Sequence, residues 1–189
     1  MKKFMTLALC FISFNAFSLS AIWNIHSIEK KENGFEIFRY GLPSKLGVQE
    51  LCLRGIKEVM ILSGNAGNFE WKYKEFCPGL KVVYNIKQTT ETTLSPEFLQ
   101  FFDEWVENAQ KSGKKIAFRC DCGCHRTGRL AAYYQMKYQN LNDTQAIEEM
   151  NKNGFFMKYY PELIPQVRDL YSYIQGLPCT EAPQYCISR

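Results

Sequence analysis

Apolar and polar positions fall in short bursts along this chain, and the bursts change period from two to nearly four and back. Residues 35–40 alternate as a strand. Ser44, directly after Pro43, reads as an N-cap for a helix carrying Leu46, Gln49, Leu51 and Leu53 to a stop at Gly55. Val59-Met60-Ile61-Leu62 predicts a short buried strand, ended by Ser63-Gly64-Asn65. Residues 69–76 have helical character up to Pro78-Gly79, and residues 80–86, with Val82-Val83, predict another strand. Ser95-Pro96-Glu97 is a capped first turn, and Phe98, Phe101, Phe102, Trp105 and Val106 line an apolar helix face behind it. Residues 115–119 form an apolar strand. Asn142-Asp143 caps a helix through Asn151 with Gly154 as its stop, and residues 162–175 predict the closing helix. Strands alternating with helices predict an α/β fold: a central, mostly parallel sheet flanked by helices.

The first twenty residues break this rhythm. Lys2 and Lys3 precede an apolar run from Phe4 to Phe17, then Ser18-Leu19-Ser20 before Ala21, the pattern of a secretory signal peptide cut after Ser20. The run is too short for a membrane anchor, and Cys10 lacks the small residue before it that lipid attachment needs. Residues 21–189 are then expected to be a single soluble domain, periplasmic or secreted. Of 23 basic and 19 acidic residues in the whole chain, the leader removes only Lys2 and Lys3, leaving a net charge of about +2. That is too little for a nucleic-acid tract, so attraction to an anion must come from local concentration of charge. Seven of eight cysteines remain, and an odd number in an oxidising compartment suggests pairs plus a free thiol. Cys179 with Cys186 is the better candidate pair and Cys52 with Cys77 the weaker.

The candidate chemistry sits where the strand at 115–119 ends: Cys120-Asp121-Cys122-Gly123-Cys124-His125-Arg126-Thr127-Gly128-Arg129. A loop between a strand and a helix N-terminus points successive N–H groups into one concavity, and the helix dipole adds positive potential. Arg126 can close the ring with a planar fork on two phosphate oxygens. The same field is expected to lower the pKa of Cys120 well below the free value of about 8.5, giving a thiolate beside a captured phosphorus.

These residues resemble the cysteine-dependent phosphatases that share the Cys-x5-Arg-Thr/Ser loop. The likeness extends to 38–44 and 51–62 on one side, and to 129–134 and 144–150 on the other, about residues 35–173 in all. It is similar to the small dual-specificity enzymes and to the phosphatase-like phytases. The resemblance implies a cysteine-phosphatase, dual-specificity-like fold. By resemblance Cys120 forms a phosphocysteine, Arg126 holds the phosphoryl group, and Thr127 assists thiolate departure. Asp121, Cys122, Gly123, Cys124 and His125 would line the phosphate. Arg119 stands where the family often has His, and Cys122, Cys124 and His125 replace its usual small residues. The family takes its general acid as an Asp from the loop after the 80–86 strand. Here residues 87–93 offer only Glu91, the candidate acid.

Two other readings compete for the cysteines. Cys120, Cys122, Cys124 and His125 have ligand chemistry suited to zinc or copper, but Arg126 would put a positive charge beside such a cluster. Cys122 or Cys124 could form a reversible disulfide with Cys120, although a Cys-x-Cys spacing rarely meets disulfide distances. The favoured expectation is a metal-free, cofactor-free phosphatase acting on a small phosphorylated substrate, most of all inositol polyphosphates such as phytate. Lys87, Arg39, His125, Arg129 and Lys158 are the candidates for holding the non-reacting phosphates. Protein phosphotyrosine is the alternative substrate, and a phosphate-binding protein without turnover the alternative class. The chain is expected to act as a monomer, with no nucleic-acid or membrane partner.

Overall fold

A computed structural model describes residues 20–189. The signal-peptide reading, with Cys10, falls on residues 1–19 and so lies outside the described residues. Five strands form one sheet in the order β1-β2-β5-β3-β4. They are β1 (His26–Lys30), β2 (Glu36–Tyr40), β3 (Ile56–Ile61), β4 (Lys81–Asn85) and β5 (Lys115–Arg119). β1 pairs antiparallel with β2, while β2, β5, β3 and β4 run parallel, with Phe38 opposite Ala117 and Met60 opposite Phe118. The helices are α1 (Lys45–Leu53), α2 (Pro96–Ser112), α3 (His125–Tyr138), α4 (Asp143–Lys152) and α5 (Leu163–Ile174).

Local chemistry sets these boundaries. Ser44 accepts from the Gly47 N–H and Ser95 from the Phe98 N–H, satisfying donors that a first helical turn leaves free. Asn142 and Gln145 cap each other's backbone in a reciprocal box at the start of α4. α2 stops at Gly113, in the left-handed conformation at φ 63°.

Side chains alternate across the sheet, so each strand serves two cores. Ile37, Met60, Ile116 and Phe118 face α2, α3 and α5, while Phe38, Val59, Ile61 and Ala117 face the side that carries α1 and Ile22. Phe102 of α2 centres the larger core, with its ring 5.9 Å from Phe118 at 89° and 6.0 Å from Tyr133. Asp103, one residue on, reads from the sequence as surface charge. It instead accepts hydrogen bonds from Tyr133, Tyr138 and Lys137, joining α2 to α3.

Two expectations fail locally. Residues 69–76 form no α-helix; turns enclose two 3-10 segments, Ala66–Asn68 and Lys74–Phe76, neither with a side-chain cap. The run is short and aromatic-rich, and one of its two acids, Glu70, is drawn inward to a buried arginine. The antiparallel β1 is absent from the sequence reading, although Asn33-Gly34, with Gly34 at φ 95°, is a hairpin signal. Both candidate cysteine pairs form: Cys52–Cys77 ties α1 to the segment before β4, and Cys179–Cys186 closes the C-terminal tail. Cys120, Cys122 and Cys124 stay free among the described residues, three thiols where the count suggested one.

Candidate active site

The segments that leave the parallel strands at their carboxyl ends meet at one edge of the sheet, the place where open α/β sheets bind ligands. They are Gly41-Leu42 after β2, Ser63–Asn65 after β3, residues 87–93 after β4, and the Cys120–Arg126 loop after β5. Cys120 lies buried where β5 ends, and α3 begins at His125 with no side chain capping its first amides. A helix start left uncapped beside a cysteine leaves its N–H groups to an anion.

The loop is fastened from behind through its carbonyls. Arg39 Nη2 donates to Gly123 O at 2.6 Å and to Cys124 O at 3.3 Å. Asn24 Nδ2 donates to Gly123 O at 3.1 Å and to Asn153 O at 3.1 Å, tying the loop to the end of α4. Leu42 N–H donates to Asp121 O at 2.7 Å. Gly123 sits at φ 69°, and a Cβ there would lie 2.6 Å from the Tyr40 carbonyl, so no side chain fits.

Beneath the cysteine, Arg119 is fully buried. It holds Glu70 in a two-pronged pair at 2.6 and 2.5 Å and reaches Asn65 Oδ1 at 2.9 Å and Ser63 Oγ at 3.1 Å. Burial alone would lower its pKa, and Glu70, together with Tyr40 and Asp121, more than offsets that. Arg119 is thus the loop's scaffold from below, while its partners Glu70, Asn65 and Ser63 escaped the sequence reading.

Arg126 reaches Asp121 Oδ2 at 2.8 Å, with Leu62 O at 3.2 Å and Gln88 O at 3.3 Å behind it. Its fork therefore already holds one carboxylate at the rim, and Asn65 Nδ2 orients that carboxylate at 2.8 Å. The Thr127 hydroxyl is buried and makes no hydrogen bond of ideal geometry. It lies against the Cys120 thiol and favours ionisation there.

The Cys120 thiol itself corrects the sequence expectation. Its pKa is pushed up to about 12, first by the hydrogen bond with Cys122 and then by burial, against the smaller pull of Thr127. Cys122 also holds the Cys124 amide at 3.1 Å, with His125 Nδ1 at 3.6 Å, so one thiol bridges its neighbours across the loop. Cys124 is drawn down to about 7 by its hydrogen bond with Cys122, with further help from the Phe155 amide and Arg39.

Three expected substrate contacts are also corrected. Arg39 and Arg129 are buried behind the site, where no substrate phosphate reaches them. Arg129 donates to Thr89 O at 2.9 Å, to Thr92 O at 2.6 Å and to Gln166, and burial lowers its pKa to about 10. It anchors the loop that carries Glu91. His125 is committed too: its Nε2 lies 2.7 Å from Phe155 O, and its ring stacks on Tyr160 at 3.6 Å. Lys87 and Glu91 are exposed on the wall of an open cleft of about 500 Å³, with Asp121, Arg126, Gln88 and Tyr160 around them. Glu91 has its pKa lowered by its own backbone N–H and by Thr89. The proposed metal cluster finds no support: the described residues do not bring three of its ligand atoms together.

This arrangement of thiol, arginine, hydroxyl and uncapped helix start at a sheet edge is that of a cysteine-dependent phosphatase. The family model of the dual specificity phosphatase catalytic domain matches residues 55–173, and the chain belongs to that family. No curated protein matches the chain. Among solved structures it is similar to TpbA of P. aeruginosa, at 21% identity and a TM-score of 0.55, over 76% of this chain and 81% of that one. It is similar to PTPMT1 in complex with PI(5)P at 15% identity and a TM-score of 0.60, over 80% and 97%. The core catalytic domain of the PP-IP phosphatase SIW14 from S. cerevisiae, in complex with citrate, matches at 18% and 0.58, over 87% and 100%. At these identities the structures share the fold.

Proposed function

We propose that the protein is a secreted phosphomonoesterase that works through a phosphocysteine and acts on inositol phosphates of low charge. Cys120 attacks phosphorus, the loop amides and Arg126 hold the transferring oxygens, and the leaving oxygen takes a proton from Glu91. Water then cleaves the sulfur–phosphorus bond, with Thr127 hydrogen-bonded to the departing thiolate. The observation that carries this reading is the burial of Cys120 at the uncapped start of α3, with Thr127 beside its sulfur and Arg126 in the same loop. Secretion is supported by the leader sequence and by two disulfides.

The cleft is wide and polar enough for a sugar-like ring, and one structural neighbour is described as an inositol pyrophosphate phosphatase. Its charge is mixed, with Lys87 and Arg126 set against Glu91 and Asp121. Two carboxylates at the rim oppose a ligand bristling with phosphates, so the reading narrows from phytate to an inositol carrying one or two phosphates. A phosphotyrosine reading draws on the Tyr160–His125 stack, which gives the cleft one aromatic wall, and on a neighbour solved with pTyr. Phosphate release from an inositol monophosphate, phytate and a phosphotyrosine peptide decides between them. The highest kcat/KM is expected for the inositol monophosphate; preference for phytate would contradict the charge argument, and preference for the peptide would favour the second reading.

A further inference from the structure

Beside the catalytic loop the chain displays aromatic rings that the chemistry does not use. Trp23 is 59% exposed, Phe155 47%, Phe156 71% and Tyr159 66%. They are neighbours: the rings of Trp23 and Phe155 lie 5.5 Å apart, and those of Phe156 and Tyr159 6.3 Å. Trp23, Phe155 and Phe156 enclose a hollow of about 310 Å³ whose floor is Cys122, Cys124 and His125. His125 also lines the catalytic cleft, as does Tyr160, so the aromatic surface and the cleft are continuous.

Phe156 holds this surface out at a cost. It sits in the left-handed conformation, φ 59°, which a bulky L-residue rarely adopts. Between residues 150 and 161 the chain carries Lys152 and Lys158 and no acid; both lysines are exposed, Lys152 paired with Glu149 at 3.3 Å and Lys158 with no carboxylate partner among the described residues. Lys158 stands over the Tyr159 ring at 5.0 Å. Amphipathic rings with lysines among them are the side chains that settle at a membrane–water boundary.

We propose that this face docks on an anionic phospholipid bilayer and brings the cleft to phosphorylated headgroups in that surface. The inference rests on the inositol phosphate reading and deepens it: the inositol phosphate that the cleft accepts is presented as a headgroup in a membrane, and the soluble inositol monophosphate stands in for that headgroup. It departs from the sequence expectation of no membrane partner. Charge argues for lipid over a second copy of the chain, because a two-fold contact through this patch would bring two basic 150–161 segments together. Phosphate headgroups complement the same lysines.

The test is sedimentation of the mature protein with phosphatidylcholine vesicles, with and without phosphatidylglycerol, compared with Phe156→Asn and Lys158→Glu. Asn tolerates the left-handed backbone, so Phe156→Asn removes the ring without unfolding the loop. Wild type is expected to bind the anionic vesicles, Phe156→Asn to bind about tenfold more weakly, as loss of one buried ring requires, and Lys158→Glu to lose the anionic preference. Turnover of p-nitrophenyl phosphate serves as the fold control and is expected to be unchanged in both variants. Wild type that stays in the supernatant overturns the docking proposal, as does equal binding by Phe156→Asn or a dimer that Phe156→Asn dissociates. Failure of the enzymatic reading would look different: vesicle binding would persist without phosphate release from any inositol phosphate.

Discussion

The floor and the rim of the phosphate loop are built on opposite principles. The floor holds three arginines, Arg39, Arg119 and Arg129, each at most 3% exposed, whose Nη groups donate to backbone carbonyls, side-chain oxygens or a carboxylate. The rim holds Lys87, Glu91 and Asp121, all exposed, with Asp121 held by Arg126 and Asn65. Charge below the loop fixes the shape of the cradle, and charge above it meets what enters. An arginine's place in the sequence does not distinguish the two duties; the number of buried acceptors around it does.

The comparison breaks first at the nucleophile. Cys120→Ser should lower phosphate release by roughly 10⁴-fold or more while leaving the thermal midpoint nearly unchanged. On the floor, Glu70→Ala strands the buried guanidinium of Arg119 and should cost about 3–5 kcal/mol in urea unfolding. Arg126→Ala, at the boundary, should lower kcat by about 10²–10³ with little loss of stability, since it removes an oxyanion partner and leaves the floor intact. At the rim the effect is smallest. Glu91→Gln should change turnover of an activated aryl phosphate by less than about threefold and slow an alkyl ester more, because only the poorer leaving group needs the proton.

One prediction concerns pH. Cys122 holds the Cys120 thiol up at about 12 in the free protein, so alkylation of Cys120 should rise with pH through the alkaline range. Cys122→Ala removes the largest raising influence, and the midpoint of alkylation should move to lower pH. An unchanged midpoint would assign the shift to burial alone.

Much of this was legible in the sequence because its signals are local. Ser44, Ser95 and Asn142 each cap a helix within three residues, and the strand–cysteine–loop–helix order places the site at the sheet edge without knowledge of the rest. What escaped depends on long-range contacts. Arg39 touches the loop 84 residues away and Arg119 finds Glu70 across 49, so their burial is a property of the assembled fold. Asn24, which bonds the loop from the N-terminal segment with φ 52°, gives no sequence signal beyond being an asparagine. The lowered thiol pKa is expected from the loop amides, the helix dipole and Arg126; the opposing hydrogen bond from Cys122 depends on how the loop's own side chains pack.

The central claim is that Cys120, and no other thiol of the loop, carries the phosphoryl group. Acid quenching during turnover of an inositol monophosphate, followed by mass spectrometry of the loop peptide, tests it directly. The account predicts a phosphoryl adduct on Cys120 that vanishes in Cys120→Ser along with turnover. An adduct on Cys122 or Cys124, or continued turnover by Cys120→Ser, would contradict it.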